Sequence, residues 1–191
     1  MKFGIPRETV DGENRVAVIP RTVKSYVEKG HEILLESGAG SKAGFADSEY
    51  EEAGATILAS ADKLFSDSDI IVKVNRLAHN SELGKDEVEL LTPGKAVIGL
   101  LDPLNDMETI RSLVEKNVTV FSMEFLPRIT RAQSMDVLSS MSTIAGYKAV
   151  LQAAEMVPKF FPLLMTAAGT IPPANTLVIG AGVAGLQAIA T

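Results

Sequence analysis

Short runs of aliphatic and β-branched residues alternate with amphipathic stretches through the first two thirds of the chain. Residues 2–5 and 31–36 predict strands, and the segment 20–29 between them predicts a helix, with proline in its first turn and Gly30 after its end. Further strands are expected at 55–58, 69–74, 95–101 and 118–121. Strands alternating with helices imply parallel βαβ units, so we expect an α/β fold with a doubly wound parallel sheet.

Helix starts in this region are expected at polar residues that can cap a free backbone N–H. Asp47 and Ser60 precede short helices, and Asn105 precedes a helix over residues 107–116. Ile110, Leu113 and Val114 are expected on one face of that helix because of their spacing.

Composition excludes several classes of protein. The 191 residues are 46% hydrophobic and 22% charged, which is typical of a globular chain and excludes a disordered or fibrous one. A net charge of −6 argues against nucleic acid as a partner. The absence of cysteine excludes disulfides and thiolate zinc sites, and the two histidines have no partner spacing, so no metal site is expected. No secretory signal is visible at the N-terminus, which favours the cytoplasm.

Charge disappears from the end of the chain, because every charged residue lies at or before Lys159. A transmembrane helix needs roughly 20 predominantly apolar residues, but Pro172 and Pro173 split this segment into shorter pieces. We therefore expect no direct membrane insertion, and instead a buried strand, turn and helix.

A long helix is expected to begin near Ser134 and to end by Val157, because Pro158 follows. Its first turns contain small residues that allow another backbone or a ligand to approach closely: Ser139, Ser140, Ser142, Thr143, Ala145 and Gly146. We expect a first α/β domain at residues 1–133. Residues 134–191 are then a linker helix and the first βα unit of an incomplete Rossmann domain.

The clearest motif is a G-x-G-x-x-G sequence that follows an apolar run, 177–179, and leads into a helix. Gly180 permits a tight turn, Gly182 lets a pyrophosphate approach the backbone, and Gly185 lets the helix pack closely. With Val178, Val183 and Ala184, these glycines are the expected cofactor-binding turn. The open alternatives are an S-adenosylmethionine site and a glycine-rich turn without ligand. The acidic residue expected about 20 residues later lies beyond Thr191, so we expect weak or undetectable NADH binding by these 191 residues.

A second group of polar residues surrounds the start of the long helix. One interpretation is structural, with Ser134 as the helix cap, Asp136 in the first turn and two solvated arginines. The other is a binding site, because a cation, an amide, a carboxylate and a hydroxyl suit a carboxamide and a ribose, and Asp136 can pair with Arg128. The candidates are Arg128, Ile129, Thr130, Arg131, Gln133, Asp136 and Ser139.

The segment RAQSMDVLSSMSTIAGYKAV, the opening PRETVDGENRVAVIP and the ending VIGAGVAGLQAIAT closely resemble the NAD(H)-binding component (domain I, alpha subunit) of proton-translocating NAD(P) transhydrogenase. The resemblance runs along the whole chain. It implies hydride transfer from NADH to NADP+ held on a separate NADP(H)-binding component, coupled to proton translocation by a membrane-spanning component. It also implies a position at the cytoplasmic face of the membrane through these partner components. A homodimer is expected from the residues themselves, because the apolar surface from Phe160 onward would otherwise face water.

By the same resemblance, Arg128, Gln133, Asp136 and Ser139 form the nicotinamide-side contact, and the glycine turn holds the pyrophosphate. Direct hydride transfer needs no protein nucleophile, since the cofactors supply the chemistry. Arg128, Gln133 and Asp136 are therefore expected to act in the reaction by orienting the ring and the ribose.

Two alternatives stay open. Alanine dehydrogenase has a similar N-terminal pattern and uses an arginine, a lysine and a histidine for the oxo acid. Arg15 and Lys73 match the first two, but Asp102 stands where the histidine is expected. If the chain is not an alanine dehydrogenase, Arg15 and Lys73 are expected to have a structural role. The second alternative is a fragment that dimerises and has no catalytic activity, because half of the cofactor cradle is absent.

Overall fold

The computed structural model of the protein describes all residues from Met1 to Thr191. They form two compact units, Met1–Leu126 and Pro127–Thr191. The boundary expected after residue 133 falls inside the second unit, because the 3₁₀ helix Thr130–Met135 belongs to that unit.

A sheet of six parallel strands forms the centre of the first unit. The strands are β1 (Lys2–Ile5), β2 (Glu32–Glu36), β3 (Thr56–Leu58), β4 (Ile70–Val72), β7 (Ala96–Gly99) and β8 (Thr119–Ser122). Their order is β3-β2-β1-β4-β7-β8. The chain thus winds outward in one direction from β1 and in the other from β4, which confirms the expected doubly wound α/β fold.

Helices cover both faces of this sheet, and they are α1 (Pro20–Glu28), α2 (Asp47–Glu52), α3 (Ala61–Asp67) and α4 (Met107–Glu115). Successive residues of β2 belong to different cores. Ile33 and Leu35 belong to the core that includes residues of α1 and α2, whereas Leu34 belongs to the core that includes residues of α3 and α4. This is the alternation that a strand buried on both faces requires.

Several local expectations are wrong. Asp106 caps α4, accepting a hydrogen bond from the Thr109 backbone at 3.2 Å, whereas Asn105 donates to Asp102. Val114 is 71% exposed, because the buried face of α4 is centred on Leu113.

Asp47 is the first residue of α2, not its cap. Its carboxylate accepts hydrogen bonds from the Ser37 hydroxyl and the Gly38 backbone at the end of β2. The side chain therefore stabilises a neighbouring turn instead of its own helix.

The connection from β4 to β7 contains structure that the sequence pattern does not reveal. A small antiparallel hairpin, β5 (His79–Asn80) and β6 (Lys85–Asp86), precedes the 3₁₀ helix Glu87–Leu90. These elements are too short to produce a recognisable hydrophobic period.

The second unit contains α5 (Val137–Met156), the antiparallel hairpin β9 (Leu164–Thr166) and β10 (Gly169–Ile171), and α6 (Val183–Ala190). Helix α5 ends before Pro158, as predicted. The strand expected at 177–179 is not formed, and Leu177 and Ile179 are 84% and 92% exposed. The expectation of a buried strand is wrong for the described chain, because no other strand pairs with this segment.

No helix of the structure combines the length and the apolar character that crossing a membrane requires.

Candidate functional site

Asp136 is fixed at the start of α5 by two hydrogen bonds. One carboxylate oxygen accepts from the Ser139 backbone N–H at 2.9 Å, and the other accepts from the Ser139 hydroxyl at 2.6 Å. Asp136 itself is the N-cap, so the expected helix start at Ser134 is wrong; Ser134 lies in the preceding 3₁₀ helix. The cap uses both oxygens of Asp136 and sets the direction of its side chain.

The charge on Asp136 is stabilised by its surroundings. Hydrogen bonds from the Ser139 hydroxyl and backbone are the main reasons that the pKa of this carboxyl lies below its ordinary value, and the positive charge of Arg128 lowers it further. The two side chains form no ion pair within 4.0 Å, so the expected pairing of Asp136 with Arg128 is electrostatic only. Asp136 is therefore an anion at neutral pH, and Arg128 is available to a ligand.

The other residues of this segment are mostly exposed. Ala132 is 5% exposed and is the one buried residue of the 3₁₀ helix Thr130–Met135. The exposed candidates are Arg128, Ile129, Thr130, Arg131 and Gln133. Packing at Ala132 thus holds a short polar segment whose side chains face solvent.

The glycine turn before α6 has the backbone geometry that its motif predicts. Gly180 adopts φ +109°, which disfavours any residue with a side chain. A Cβ on Gly185 would lie 2.9 Å from the Gly180 carbonyl carbon and 3.6 Å from a methyl of Val178. A Cβ on Gly182 would meet no atom within 4 Å. The first and third glycines shape the turn, and the second leaves the backbone open to a ligand.

Helix α6 begins directly after this turn, at Val183. The N–H groups of Val183 and Ala184 are in the first turn of the helix and have no carbonyl partner within it. They give the turn a partial positive charge suited to a phosphate.

The two candidate groups belong to the same unit and are connected through α5. The polar segment leads into the first turn of α5, and Gly146, in the middle of the same helix, contacts the backbone of Ala184 in α6. Of the small residues in α5, three donate side-chain hydrogen bonds back to their own helix: Ser140, Ser142 and Thr143. Gly146 is the one buried residue of α5, and the sequence signal for its role is that it is the single glycine there.

Sequence comparison identifies the family. The family described as "Alanine dehydrogenase/PNT, N-terminal domain" matches residues 4–145, and "Alanine dehydrogenase/PNT, C-terminal domain" matches residues 149–191. The chain belongs to the alanine dehydrogenase/PNT family. This family includes the NAD(P) transhydrogenases, which the RAQSMD segment resembles.

Among curated alanine dehydrogenase/PNT proteins, the chain is 47% identical to an NAD(P) transhydrogenase alpha subunit of Rhodospirillum rubrum, over 100% of this chain and 50% of that protein. It is 32% identical to an alanine dehydrogenase of Methanococcus maripaludis, over 98% of this chain and 49% of that protein. The structure superposes on a crystal structure of transhydrogenase from Sinorhizobium meliloti with a TM-score of 0.91 and 42% identity, covering 100% of this chain and 55% of that one. The chain thus spans about half the length of the curated relatives it matches.

Arg15 and Lys73, the two residues that the alanine dehydrogenase alternative expects at an oxo-acid site, follow strands β1 and β4 at the carboxyl edge of the first unit's sheet. Arg15 lines a polar cleft of about 330 Å³ with Glu8 and Glu13, and its guanidinium pairs with Glu13 at 2.6 Å. Lys73 is not part of this lining, because its side chain is fully buried and paired with Glu87. The structure therefore gives Lys73 a structural role, and nothing in the sequence spacing indicates Glu87 as its partner.

Asp102, which stands where alanine dehydrogenase is expected to have a histidine, has a backbone φ of +49°. Its backbone N–H donates to Glu124, and its carboxylate accepts from the Asn105 side chain. These bonds hold a turn at the end of β7. Among the 191 residues, no group of three or more side chains is arranged to hold a metal ion.

Proposed function

We propose that this chain is the NAD(H)-binding portion of an NAD(P) transhydrogenase. The main support is the glycine turn, in which Gly180 adopts a positive φ, Gly185 excludes a side chain and Gly182 faces open space. Each glycine has the property that a turn holding a dinucleotide pyrophosphate requires. The 47% identity to a transhydrogenase alpha subunit supports the same function.

The residues at the start of α6 and at the start of α5 fit two different parts of a dinucleotide. The N–H groups of Val183 and Ala184 would donate to pyrophosphate oxygens at the start of α6. At the start of α5, the anionic Asp136 would accept from a ribose hydroxyl or a carboxamide, and Gln133 can both donate and accept. Arg128 would balance the negative charge of Asp136. The role of these side chains is to bind and orient.

Bound NADH supplies a hydride from C4 of its dihydronicotinamide, which leaves NAD+ and reduces NADP+ to NADPH. No side chain needs to accept a proton in this step, because the hydride carries both electrons directly between the rings. The protein must bring the two rings to about 3–3.5 Å and keep water away from them. We propose that the NADP+ is held by a separate NADP(H)-binding component. Its membrane-spanning partner couples the transfer to proton translocation.

The proposal is tested with two proteins. The first is this chain, and the second is this chain joined to the C-terminal half of the Rhodospirillum rubrum relative, which gives a protein of that relative's full length. Each is mixed with an NADP(H)-binding component, and hydride exchange is followed between NADH and an NADP+ analogue of different absorbance. We expect exchange with the joined protein and little or none with this chain alone.

A Gly182→Ala variant of the joined protein is the matched control. In the structure of the 191 residues an added methyl at this position meets no atom within 4 Å, so we expect the variant to keep its fold while the approach of a pyrophosphate is blocked. If the joined protein folds but exchanges no hydride, the proposal is wrong.

Alanine dehydrogenase activity is the second candidate, favoured by the 32% identity to the Methanococcus maripaludis enzyme. The burial of Lys73 against Glu87 argues against it. We expect neither protein to oxidise NADH in response to pyruvate and ammonia. Such oxidation would make the alternative correct.

The assembly expected from the sequence also belongs to this proposal. Large apolar side chains of the second unit are exposed, including Met165, Leu177, Ile179, Leu186 and Ile189. Exposed apolar surface on this scale is typical of a protein that associates. We propose a homodimer at the cytoplasmic face of the membrane, held there by its partner components. Light scattering that shows the 191-residue chain to be a monomer at high concentration would contradict the proposed dimer.

A further inference from the structure

We infer that Gly146 is a positioning residue that sets the distance between the two halves of the proposed dinucleotide site. The inference rests on the proposed function for its ligand, but its structural basis is independent. Gly146 is the one buried residue in the 20-residue helix α5. Every other residue of that helix is at least partly exposed.

The burial of Gly146 comes from contact between backbones. A Cβ built on Gly146 would lie 2.9 Å from the carbonyl carbon of Ala184 and 3.0 Å from its Cα, and closer still to its carbonyl oxygen. Real Cβ atoms do not approach backbone atoms this closely. Because the obstacle is backbone and not the end of a flexible side chain, even one added methyl must move α6 away from α5, by about 1 Å.

The contact connects the two halves of the proposed site, which are the glycine turn before α6 and the polar segment at the start of α5. Ala184 is in the first turn of α6, directly after the glycine turn, and its N–H is one of the proposed pyrophosphate donors. Asp136 caps the start of the same α5 helix, about ten residues or about 15 Å from Gly146. A dinucleotide that binds to both halves requires a constant distance between them, whereas a ligand that binds to one half does not.

Substitution of Gly146 by alanine is expected to be unfavourable, although helix propensity alone would make it favourable. Alanine is favoured over glycine inside a helix, so Gly146→Ala stabilises α5 if the contact with Ala184 is unimportant. If the contact does set the position of α6, Gly146→Ala should weaken NADH binding by the joined protein by about tenfold or more, because a displacement of about 1 Å misplaces one half of the site relative to the other. Misplacements of this size cost up to about a hundredfold in reaction rate. Gly146→Val is expected to have a larger effect.

The first test is a distance measurement that needs no cofactor. The chain has no cysteine, so nitroxide labels can be attached uniquely at Lys148→Cys in α5 and Ile189→Cys in α6, both exposed positions. We expect Gly146→Ala and Gly146→Val to lengthen or broaden the distance distribution in that order. Ala145→Val is the matched control, because Ala145 is exposed on the same helix and should leave the distribution unchanged. An unchanged distribution in Gly146→Val overturns the inference.

The second test separates positioning from general stability. Dissociation constants of the joined protein are measured for NADH, which reaches both halves, and for ADP, which reaches only the glycine turn. We expect Gly146→Ala to weaken NADH binding by about tenfold while ADP binding changes by less than about twofold. An equal loss for both ligands would mean that Gly146 is merely structural and would overturn the inference. If the joined protein without a substitution binds neither ligand, the proposed function fails, and the label distances alone decide whether Gly146 sets the position of α6.

Discussion

The ammonium of Lys73 lies 2.7 Å from both carboxylate oxygens of Glu87, and neither side chain is exposed to solvent. Glu8 approaches the same ammonium at 3.9 Å, and burial raises the pKa of Glu8 above its ordinary value. Glu87 also accepts from the Ala78 backbone, and Glu8 accepts from the Val74 backbone. The cluster therefore joins the end of β4 to the loop after β1 and to the segment around the small hairpin.

Removing the cation from this cluster should destabilise the first unit severely. Lys73→Met leaves Glu87 buried without its partner, at an expected cost of about 3–5 kcal/mol in the free energy of unfolding. Urea denaturation followed by circular dichroism measures it. The double variant Lys73→Met with Glu87→Leu should recover the part of the loss that comes from Glu87, because that carboxylate is then absent. Glu8, 3.9 Å from the Lys73 ammonium, still loses its cation, so the recovery should be incomplete. Lys24→Met, at an exposed position of α1, is the control and should change stability by less than about 0.5 kcal/mol. A Lys73→Met protein as stable as the unsubstituted chain would contradict the buried pair.

The Glu13 carboxylate should make stability depend on pH below about pH 5. Hydrogen bonds from Arg15, together with that from Asn75, lower the pKa of Glu13 from 4.5 to about 2. Because the folded pKa is lower than the unfolded one, the stabilisation is fully present above the unfolded pKa and is lost as pH falls through the folded pKa. Arg15 is 42% exposed, so we discount the contribution for solvent screening to about 1 kcal/mol.

Glu13→Gln should therefore be less stable than the unsubstituted chain at pH 7, and the difference should shrink steadily as pH falls from about 5 to about 2. Denaturation at a series of pH values measures this. Glu52→Gln, at an exposed position of α2, should show no such convergence. A difference that is constant over this range would show that the carboxylate charge is not responsible.

Substitutions of Asp136 should separate helix capping from cofactor binding. Asparagine caps a helix about as well as aspartate, whereas alanine does not. Asp136→Ala should lower the melting temperature of the second unit by a few degrees, and Asp136→Asn should leave it nearly unchanged. Both should weaken NADH binding by the joined protein, because both remove the negative charge. Asp136→Asn with unaltered affinity for NADH would exclude the carboxylate as a cofactor contact.

The Ser139 hydroxyl should control the ionisation of Asp136. Its hydrogen bond is the largest reason for the lowered pKa of that carboxyl. In Ser139→Ala, the pKa of Asp136 should rise toward its ordinary value, which carbon-13 NMR of the labelled carboxyl can follow. Ser140→Ala is the matched control, because the Ser140 hydroxyl donates to a backbone carbonyl. If the two variants give the same pKa for Asp136, the assigned cause is wrong.

Two glycines of the turn should respond differently to alanine. A methyl at Gly185 meets the Gly180 backbone and should displace α6, which lowers both helix content and NADH affinity. A methyl at Gly182 meets no protein atom and should weaken only NADH binding, by about tenfold or more. Circular dichroism and NADH titration, both on the joined protein, distinguish the two variants. Equal loss of helix content in both variants would contradict the geometry of the turn.

Local patterns in the sequence were sufficient to predict the α/β class and the parallel sheet. Strands such as Lys2–Ile5 and helices such as Pro20–Glu28 have periodicity, proline and glycine signals that depend only on neighbouring residues. The glycine motif likewise predicts its own geometry, because the positive φ of Gly180 and the close approach of Gly185 to Gly180 involve only backbone within a few residues. The RAQSMD segment and the glycine motif also indicated the family, which the comparisons confirm.

Contacts between distant segments were decided by the tertiary structure alone. The pairing of Lys73 with Glu87 and the contact of Gly146 with Ala184 depend on how separate elements pack, and no local period encodes them. The segment 177–179 shows that a local pattern can also predict an element that the tertiary structure does not form. Its apolar residues favour a strand, but a strand forms only where another strand accepts and donates its backbone hydrogen bonds. The sequence by itself determined which backbone conformations are favoured, and the tertiary structure decided which side chains meet, because burial and pairing are properties of the packed chain.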